Sequence, residues 1–196
     1  LASAAGVAYA ESLTGFKWVV RAPGPGRHLL FGYEEALGYC AGELVRDKDG
    51  ISTALLVAEL AAERPVLDRL HDLFRTHGAH VTRQRSLRLE GSDWLARVTT
   101  AMDRVRTEPP SAVAGRALLE VEDLALGGRL PPSDVLIWTL DGARLVLRPS
   151  GTEPKLKLYA EVVVPVAGEA GVAAARAAGS AAVDEVLDAA AELLVL

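Results

Sequence analysis

One short polar stretch of the sequence has the side chains and the backbone needed to bind a phosphate group. Residues 148–155 read RPSGTEPK and lie between two apolar runs that are typical of strands. Arg148 offers a planar fork of donors, and Ser150 and Thr152 add hydroxyl groups. Gly151 allows backbone N–H groups to close around an anion. An ordinary polar turn is the alternative interpretation, and the context of the motif has to decide between the two.

Three further segments precede this stretch and supply that context. They are residues 12–18 (SLTGFKW), residues 32–39 (GYEEALGY) and residues 46–51 (RDKDGI). In this order, ahead of the RPSGTEP stretch, they resemble the carboxy-terminal half of the α-D-phosphohexomutases. The chain is most similar to the phosphoglucomutase/phosphomannomutase branch, in which the sugar-binding loop follows the pattern G-[YF]-E-E-A-[IL]-G-Y. The four motifs together cover nearly the whole chain.

The resemblance also implies parts that this sequence does not contain. Members of the superfamily have four domains: a serine that carries the phosphoryl group lies in a Ser-His-Asn-Pro loop of the first, and a D-x-D-x-D loop of the second binds Mg²⁺. Neither pattern occurs in the 196 residues. We therefore expect a carboxy-terminal portion of a larger enzyme, with most of domain three in residues 1–88 and domain four in residues 89–196. The missing amino-terminal domains would be its partners and would bind the Mg²⁺.

The reaction of the resembled family explains why these residue types are needed. A phosphoserine donates its phosphoryl group to a hexose monophosphate, the hexose 1,6-bisphosphate turns end for end, and the serine retrieves the other phosphate. A loop that binds the phosphate remote from the reacting bond must accept both orientations of the sugar, so it reads only the phosphate. The resemblance assigns this phosphate binding to Arg148, Ser150, Gly151 and Thr152.

Two acidic residues of the GYEEALGY segment are candidates for binding the sugar. Glu34 matches the family glutamate that accepts hydrogen bonds from adjacent sugar hydroxyls, for which a carboxylate with two oxygens is well suited. Glu35 is a further candidate, with a role in shaping the loop as the alternative. The common form of this loop has a serine where this chain has Ala36, so one hydroxyl contact is lost here.

Lys48 is the candidate catalytic residue of this chain. It matches a lysine that approaches the transferred phosphate in related phosphoglucomutases, where a cation stabilises developing charge or helps to move a proton. A salt bridge with Asp47 or Asp49 is the alternative. Thr14 and Gly15 match a turn that contacts the sugar, and an ordinary turn is the alternative for this pair.

Composition limits the classes of partner. The net charge is −5, with 21 Lys and Arg against 26 Asp and Glu, which disfavours a nucleic-acid partner. No run of about 18 apolar residues is free of charge, so we expect no membrane span. The single cysteine, Cys40, cannot form an internal disulfide, and a cytoplasmic location is expected. The four histidines lack metal-ligand spacing, so we predict no metal site in this chain.

The first half of the chain has to position the sugar-binding candidates. Residues 18–22 and 28–32 have the composition of strands, joined by a Pro-Gly-Pro-Gly turn at 23–26. An apolar stripe at helical spacing then predicts a helix from residue 52 that ends before Pro65. A second helix, with Pro65 in its first turn, follows it. This half therefore reads as mixed α/β.

The second half has to present the phosphate-binding loop. After an Arg-rich alternating segment that ends near residue 88, the pattern predicts a helix and then four strands. The Asp141-Gly142 pair between the middle two strands is typical of a two-residue hairpin. An Ala-rich helix closes the chain. The predicted bounds are 118–124, 135–140, 143–147 and 156–164 for the strands and 169–194 for the last helix.

This order of elements agrees with the small fourth domain of the resembled family. The predicted fold class is mixed α/β for the partial third domain, followed by a small α+β domain with a four-stranded antiparallel sheet flanked by helices. Three functions stay open. They are an isomerase acting on hexose phosphates, the same architecture acting on pentose phosphates, and a phosphosugar-binding module without catalysis.

The 196-residue chain by itself is predicted to be inactive as a mutase. Because the phosphoserine and the Mg²⁺ loop of the resembled family lie outside it, we expect no conversion of glucose 1-phosphate, even with Mg²⁺ and glucose 1,6-bisphosphate present. A coupled assay for glucose 6-phosphate measures this, with a full-length phosphoglucomutase as the positive control. Conversion by the pure chain would contradict the absence of a nucleophile.

Overall fold

The computed structural model describes residues 1–128, 130–168 and 171–194. It divides into two compact units, Leu1–Leu70 and His71–Leu196. The helices are α1 (Phe16–Val19), α2 (Gly50–Glu63), α3 (Val66–His77), α4 (Trp94–Thr107) and α5 (Gly171–Leu194), and the strands are β1 (Phe31–Glu34), β2 (Gly38–Ala41), β3 (Ala79–Arg88), β4 (Ala112–Val113), β5 (Arg116–Asp123), β6 (Leu136–Leu140), β7 (Ala143–Pro149) and β8 (Lys155–Val164). The division between the units falls within α3.

The first unit contains a two-stranded hairpin. β1 pairs antiparallel with β2, with Phe31 opposite Ala41 and Glu34 opposite Gly38. Phe16 of α1 and Cys40 of β2 are buried in the small core of this unit. The three residues between the strands are exposed, so the hairpin presents its turn to solvent.

The predicted strand at residues 18–22 is wrong, because the chain forms the short helix α1 here instead. The N–H of Val20 donates to the carbonyl of Phe16 at 3.0 Å, which is a helical hydrogen bond. Aromatic and β-branched residues in this run favour a strand by composition. The backbone of Gly15, with a φ of 111°, turns the chain immediately before them, and burial of Phe16 then holds the turn in place.

The predicted strand at residues 28–32 is displaced along the chain. β1 begins at Phe31, because its antiparallel partner β2 ends at Ala41, opposite Phe31. A strand extends only as far as a neighbour supplies hydrogen bonds, and composition does not indicate where that neighbour ends.

The predicted helix that ends before Pro65 is confirmed by α2. Asp49 caps its start, since Asp49 Oδ1 accepts a hydrogen bond from the N–H of Ser52 at 3.0 Å. The apolar stripe, however, faces solvent: Ile51 is 88% exposed and Leu55 is 63% exposed. A helix such as α2, which carries apolar residues around most of its circumference, is typical of a protein interior.

The second unit contains an antiparallel sheet with the strand order β3-β8-β7-β6-β5-β4. The four predicted strands form its continuous middle, β5 to β8, so the predicted fold class is confirmed. The sheet is wider than predicted because the Arg-rich segment pairs with β8 as strand β3, from Ala79 opposite Val164 to Arg88 opposite Lys155. The short strand β4 extends the opposite edge by pairing with β5.

One face of this sheet carries the core of the second unit. Buried and half-buried residues alternate along β7 and β8, as expected for strands with one covered face. The buried members include Leu145 and Leu147 of β7 and Leu156 and Leu158 of β8. They form one apolar cluster with buried residues of α4 and α5, among them Met102.

Ion pairs attach α5 to the edge strand β3. Arg83 pairs with Asp184 and donates to Ser180 Oγ at 2.9 Å, and Arg85 pairs with Asp188. Two residues along a strand and four along a helix both span about 6 Å, so the two pairs fit side by side. The Arg-rich segment therefore has a structural role in this unit.

The predicted domain boundary between residues 88 and 89 stays a prediction. The compact units divide earlier, within α3, because β3 pairs with β8. The predicted last helix ends at Leu194 as α5 does, and its predicted start at residue 169 lies outside the described residues. None of the helices in the described ranges is long and apolar enough to cross a membrane.

A methyl group at residue 179 should destabilise the second unit. A Cβ atom on Gly179 of α5 would lie 2.6 Å from Val81 Cγ2 of β3. Overpacking costs about 1–3 kcal/mol, which exceeds the roughly 1 kcal/mol that alanine gains over glycine in a helix. We therefore expect Gly179→Ala to lower the free energy of unfolding measured in urea.

The double variant Val81→Ala/Gly179→Ala is the matched control. It removes the methyl groups that the new Cβ would strike, so Gly179→Ala should cost less in the Val81→Ala background than in the wild type. A Gly179→Ala variant more stable than the wild type would show that this helix and strand do not approach as closely as described.

Candidate functional site

Three of the four motif segments meet in one cluster of the first unit. Glu34 ends β1, Lys48 precedes α2 and Phe16 begins α1. Lys48 Nζ lies 3.3 Å from Glu34 Oε1 and 4.6 Å from the centroid of the Phe16 ring. The Glu34 side chain is 13% exposed and that of Lys48 is 52% exposed, so the cation faces solvent on one side. This cluster combines a nearly buried carboxylate with an accessible ammonium group.

The hairpin determines where Glu34 points. Leu37 closes its turn with a φ of 58°, in the left-handed region that residues other than glycine seldom adopt. Gly38 follows, and a Cβ there would lie 2.5 Å from Phe16 Cε2 and 3.0 Å from Glu34 Cγ. Glycine at this position therefore leaves room for the ring and the carboxylate. Glu35 is exposed in the turn itself.

The segment that carries Lys48 is fixed by its neighbours. Asp49 donates its N–H to the carbonyl of Tyr39 at 2.6 Å and caps α2 with its side chain. Asp47 Oδ1 accepts from the N–H of Lys48 at 2.7 Å. The ammonium group of Lys48 pairs with Glu34, which is a different partner from the two aspartates of the alternative interpretation.

Thr14 and Gly15 lie immediately before Phe16. The carbonyl of Gly15 accepts from the N–H of Trp18 at 2.9 Å, and Thr14 is exposed. This turn is therefore adjacent in the chain to the ring that contacts Lys48.

The RPSGTEP stretch forms the connection between two paired strands of the second unit. Arg148 lies near the end of β7 and Lys155 begins β8. Ser150 donates its N–H to the carbonyl of Lys155 at 3.0 Å, and its hydroxyl oxygen accepts from the N–H of Glu153 at 3.1 Å. Gly151 and Thr152 are exposed at the tip of the connection. The four predicted phosphate-binding residues thus lie in or beside one tight turn.

Basic side chains share one face of the sheet beside this turn. Arg148 lies opposite Lys157, and Lys155 lies opposite Arg88. Because side chains alternate between faces along a strand, residues 155 and 157 point to the same side. Lys155 Nζ pairs with Glu153 Oε1 at 2.7 Å, and this hydrogen bond lowers the pKa of Glu153. Basic residues therefore lie next to the exposed residues Gly151 and Thr152 of the turn.

Within residues 1–128, 130–168 and 171–194, no three His, Cys, Asp or Glu side chains are placed to hold a metal ion.

Sequence reasoning gave no role to Phe16 and Gly38. Both lie inside motif segments, Phe16 in SLTGFKW and Gly38 in GYEEALGY. The only available signal was their position next to Gly15 and Glu34, and nothing in the linear pattern indicates that the two segments touch. The place of Arg88 beside Lys155 depends on strand pairing, which the linear pattern does not indicate.

Comparison with known proteins gives the same family for both units. The family described as "Phosphoglucomutase/phosphomannomutase, alpha/beta/alpha domain III" matches residues 1–77. The family described as "Phosphoglucomutase/phosphomannomutase, C-terminal domain" matches residues 102–179. The domain III match precedes the C-terminal domain match along the chain, which is the order in which the sequence motifs of the two domains occur.

Curated relatives agree with these matches. A "Probable phosphomannomutase" of Haemophilus influenzae is 38% identical over 156 residues, covering 76% of this chain and 30% of the relative. A "Phosphoglucomutase" of Staphylococcus epidermidis is 34% identical over 173 residues, covering 78% of this chain and 32% of the relative. A "Phosphoglucomutase" of Staphylococcus aureus is 30% identical over 179 residues, covering 81% of this chain and 32% of the relative. The chain thus spans about a third of the length of these relatives.

Protonation of Asp49 should make the first unit less stable in acid. Hydrogen bonds from Ser52 lower the pKa of Asp49. A carboxyl group with a lowered pKa in the folded state stabilises the fold above its unfolded pKa of about 3.9, and this contribution is lost as the pH falls through the lower folded value. We expect Asp49→Asn, which remains a good N-cap, to resemble the wild type at neutral pH.

Below about pH 4 the two proteins should differ. Thermal unfolding followed by circular dichroism at several pH values should show a smaller acid-induced fall of the midpoint in Asp49→Asn than in the wild type. An equal fall of the unfolding midpoint in the wild type and in Asp49→Asn would contradict a stabilising role for the ionised Asp49.

Proposed function

This chain belongs to the phosphoglucomutase/phosphomannomutase family, and we propose that it supplies the sugar-binding and phosphate-binding loops of a phosphohexomutase. The proposed reaction interconverts hexose 1-phosphate and hexose 6-phosphate through a phosphoserine and a hexose 1,6-bisphosphate intermediate. The observation that carries the proposal is that two basic residues, Arg148 and Lys157, lie opposite one another on neighbouring strands beside an exposed Gly-Thr turn. The names of the relatives, a phosphomannomutase and a phosphoglucomutase, favour hexose over pentose phosphates as the substrate class.

The turn at residues 150–154 is suited to the phosphate that does not react. Arg148 is the bidentate donor in this proposal, Thr152 adds a hydroxyl, and the exposed backbone at Gly151 contributes N–H groups. Ser150 shapes the turn through its contact with Glu153 and still has its own hydroxyl hydrogen to donate. Binding at this distance from the reacting bond positions the substrate for phosphoryl transfer.

The cluster in the first unit is suited to the sugar and to the phosphate in transit. Glu34 has two carboxylate oxygens that accept hydrogen bonds from neighbouring hydroxyl groups, whichever way round the sugar binds. Lys48 keeps one side open to solvent, where its charge would stabilise a phosphoryl group during transfer. We also assign contacts with the sugar to Thr14, Gly15 and Glu35, which lie on the neighbouring turns.

The remaining catalytic parts are proposed to lie elsewhere in a longer polypeptide. The Ser-His-Asn-Pro and D-x-D-x-D patterns do not occur in this sequence, and we propose that another part of the polypeptide supplies the phosphoserine and binds the Mg²⁺. Two observations support a larger enzyme. The chain spans about a third of its relatives' length, and α2 exposes apolar residues such as Ile51 and Leu55 that are typical of a protein interior.

Substitution of Arg148 tests the phosphate-binding role. In the full-length protein, Arg148→Ala should lower kcat/KM for glucose 1-phosphate by about tenfold to a hundredfold, because it removes a charge-assisted contact worth about 1.5–3 kcal/mol. Glu34→Gln, which replaces a charged acceptor by an amide with one acceptor atom, should lower kcat/KM as well. Steady-state kinetics with glucose, mannose and pentose 1-phosphates would also identify the substrate.

Arg97→Ala is the matched control for the loss of an arginine. Arg97 is exposed on α4, where it donates to the carbonyl of Glu90 at 3.3 Å, so its removal should leave kcat/KM unchanged. A wild-type kcat/KM in Arg148→Ala or in Glu34→Gln would remove that residue from the site. Phosphosugar binding by a full-length protein that has no turnover would instead favour a binding module.

A further inference from the structure

Phe16 is buried in the core of the first unit, yet its ring also forms one wall of the Glu34–Lys48 cluster. Building on the proposed function, we propose that Phe16 is a positioning residue: the face of its ring holds the Lys48 ammonium group in place for the transferred phosphate. The proposal adds a residue to the site that the sequence motifs did not assign. It concerns only residues of the first unit.

The contact has the geometry of a cation over an aromatic face. Lys48 Nζ lies 4.6 Å from the ring centroid, within the roughly 6 Å at which the ring quadrupole attracts a cation. Phe16 is 3% exposed, so the surrounding core prevents the ring from turning away. Lys48 is half exposed, which leaves its other side free to meet an anion.

The hairpin is built to admit the ring at this point. A Cβ on Gly38 would lie 2.5 Å from Phe16 Cε2, and it would also come within 3.0 Å of Glu34 Oε1. Gly38 is paired directly with Glu34 in the hairpin, so the backbone that orients the carboxylate also makes space for the ring. The ring and the carboxylate thus both lie beside Gly38, and both contact the ammonium group of Lys48.

An aromatic ring suits this role better than a second carboxylate would. A carboxylate would neutralise the ammonium group and compete with a phosphate for it, whereas a ring attracts the cation without adding a net charge. When Glu34 turns its oxygens toward sugar hydroxyls, its hold on Lys48 weakens. The ring contact does not depend on Glu34, so it keeps the ammonium group in place through that change.

Fluorinated phenylalanines test the proposal with little change of shape. We would replace Phe16 in the full-length protein by 3,5-difluoro- and 3,4,5-trifluorophenylalanine, which weaken the negative face of the ring stepwise. The expected result is a graded fall in kcat for glucose 1-phosphate, by roughly threefold to tenfold for the trifluoro ring, with KM changed by less than about twofold.

The same substitutions in a Lys48→Met background distinguish positioning from packing. If Phe16 acts through Lys48, fluorination should have no further effect on kcat in that background. The midpoint of urea unfolding should behave in the same way, falling on fluorination only when Lys48 is present. Phe74 is the matched control, because its ring faces a different cation, the Arg176 guanidinium of the second unit, at 5.9 Å, so its fluorination should leave kcat unchanged.

Failure of this proposal can be told apart from failure of the proposed function. Equal losses with and without Lys48, or no loss in either background, would overturn the positioning role of Phe16. If the full-length protein converts no hexose phosphate, the proposed function is wrong. In that case the urea-unfolding comparison with and without Lys48 still decides whether the ring holds Lys48.

Discussion

Two cations lie side by side in the second unit, and the register of β7 against β8 holds them there. Arg148 lies opposite Lys157. The register is fixed, because a slip of one residue would turn buried leucines such as Leu147 and Leu158 to solvent. The placement of these two basic residues beside the turn at residues 150–154 therefore depends on the packing of the opposite face of the sheet.

The cluster in the first unit balances its charges in a different way. Glu34 is nearly buried and pairs with Lys48, so neither charge lacks a partner when no ligand is present. The two residues differ in exposure, and the more exposed lysine is the one available to an incoming anion. A carboxylate that changes partners from a lysine to sugar hydroxyls would stay hydrogen-bonded throughout. Recognition of the sugar and of a phosphate would then be coupled through one ion pair.

The sequence predicts an element of the structure correctly where the contacts that determine that element are local in the chain. The strands beside the turn at residues 150–154 were predictable, because apolar residues alternate along them and Asp141-Gly142 marks the hairpin before them. Helix α1 was not, since burial of Phe16 overrides the strand composition of residues 18–22. The partner of Lys48 was missed for a similar reason. Its neighbours in sequence are aspartates, but the β1–β2 hairpin brings Glu34 to it instead.

The exposed helix α2 connects packing to the site. Its cap residue Asp49 is joined to Tyr39 by a 2.6 Å hydrogen bond, and Lys48 comes directly before it. An apolar surface of this extent is rarely left uncovered in a soluble protein. In the proposed full-length enzyme, whatever covers Ile51 and Leu55 would fix the start of the helix as well. The position of the Lys48 backbone would then depend on whatever covers this helix, while its side chain contacts Phe16 within the first unit.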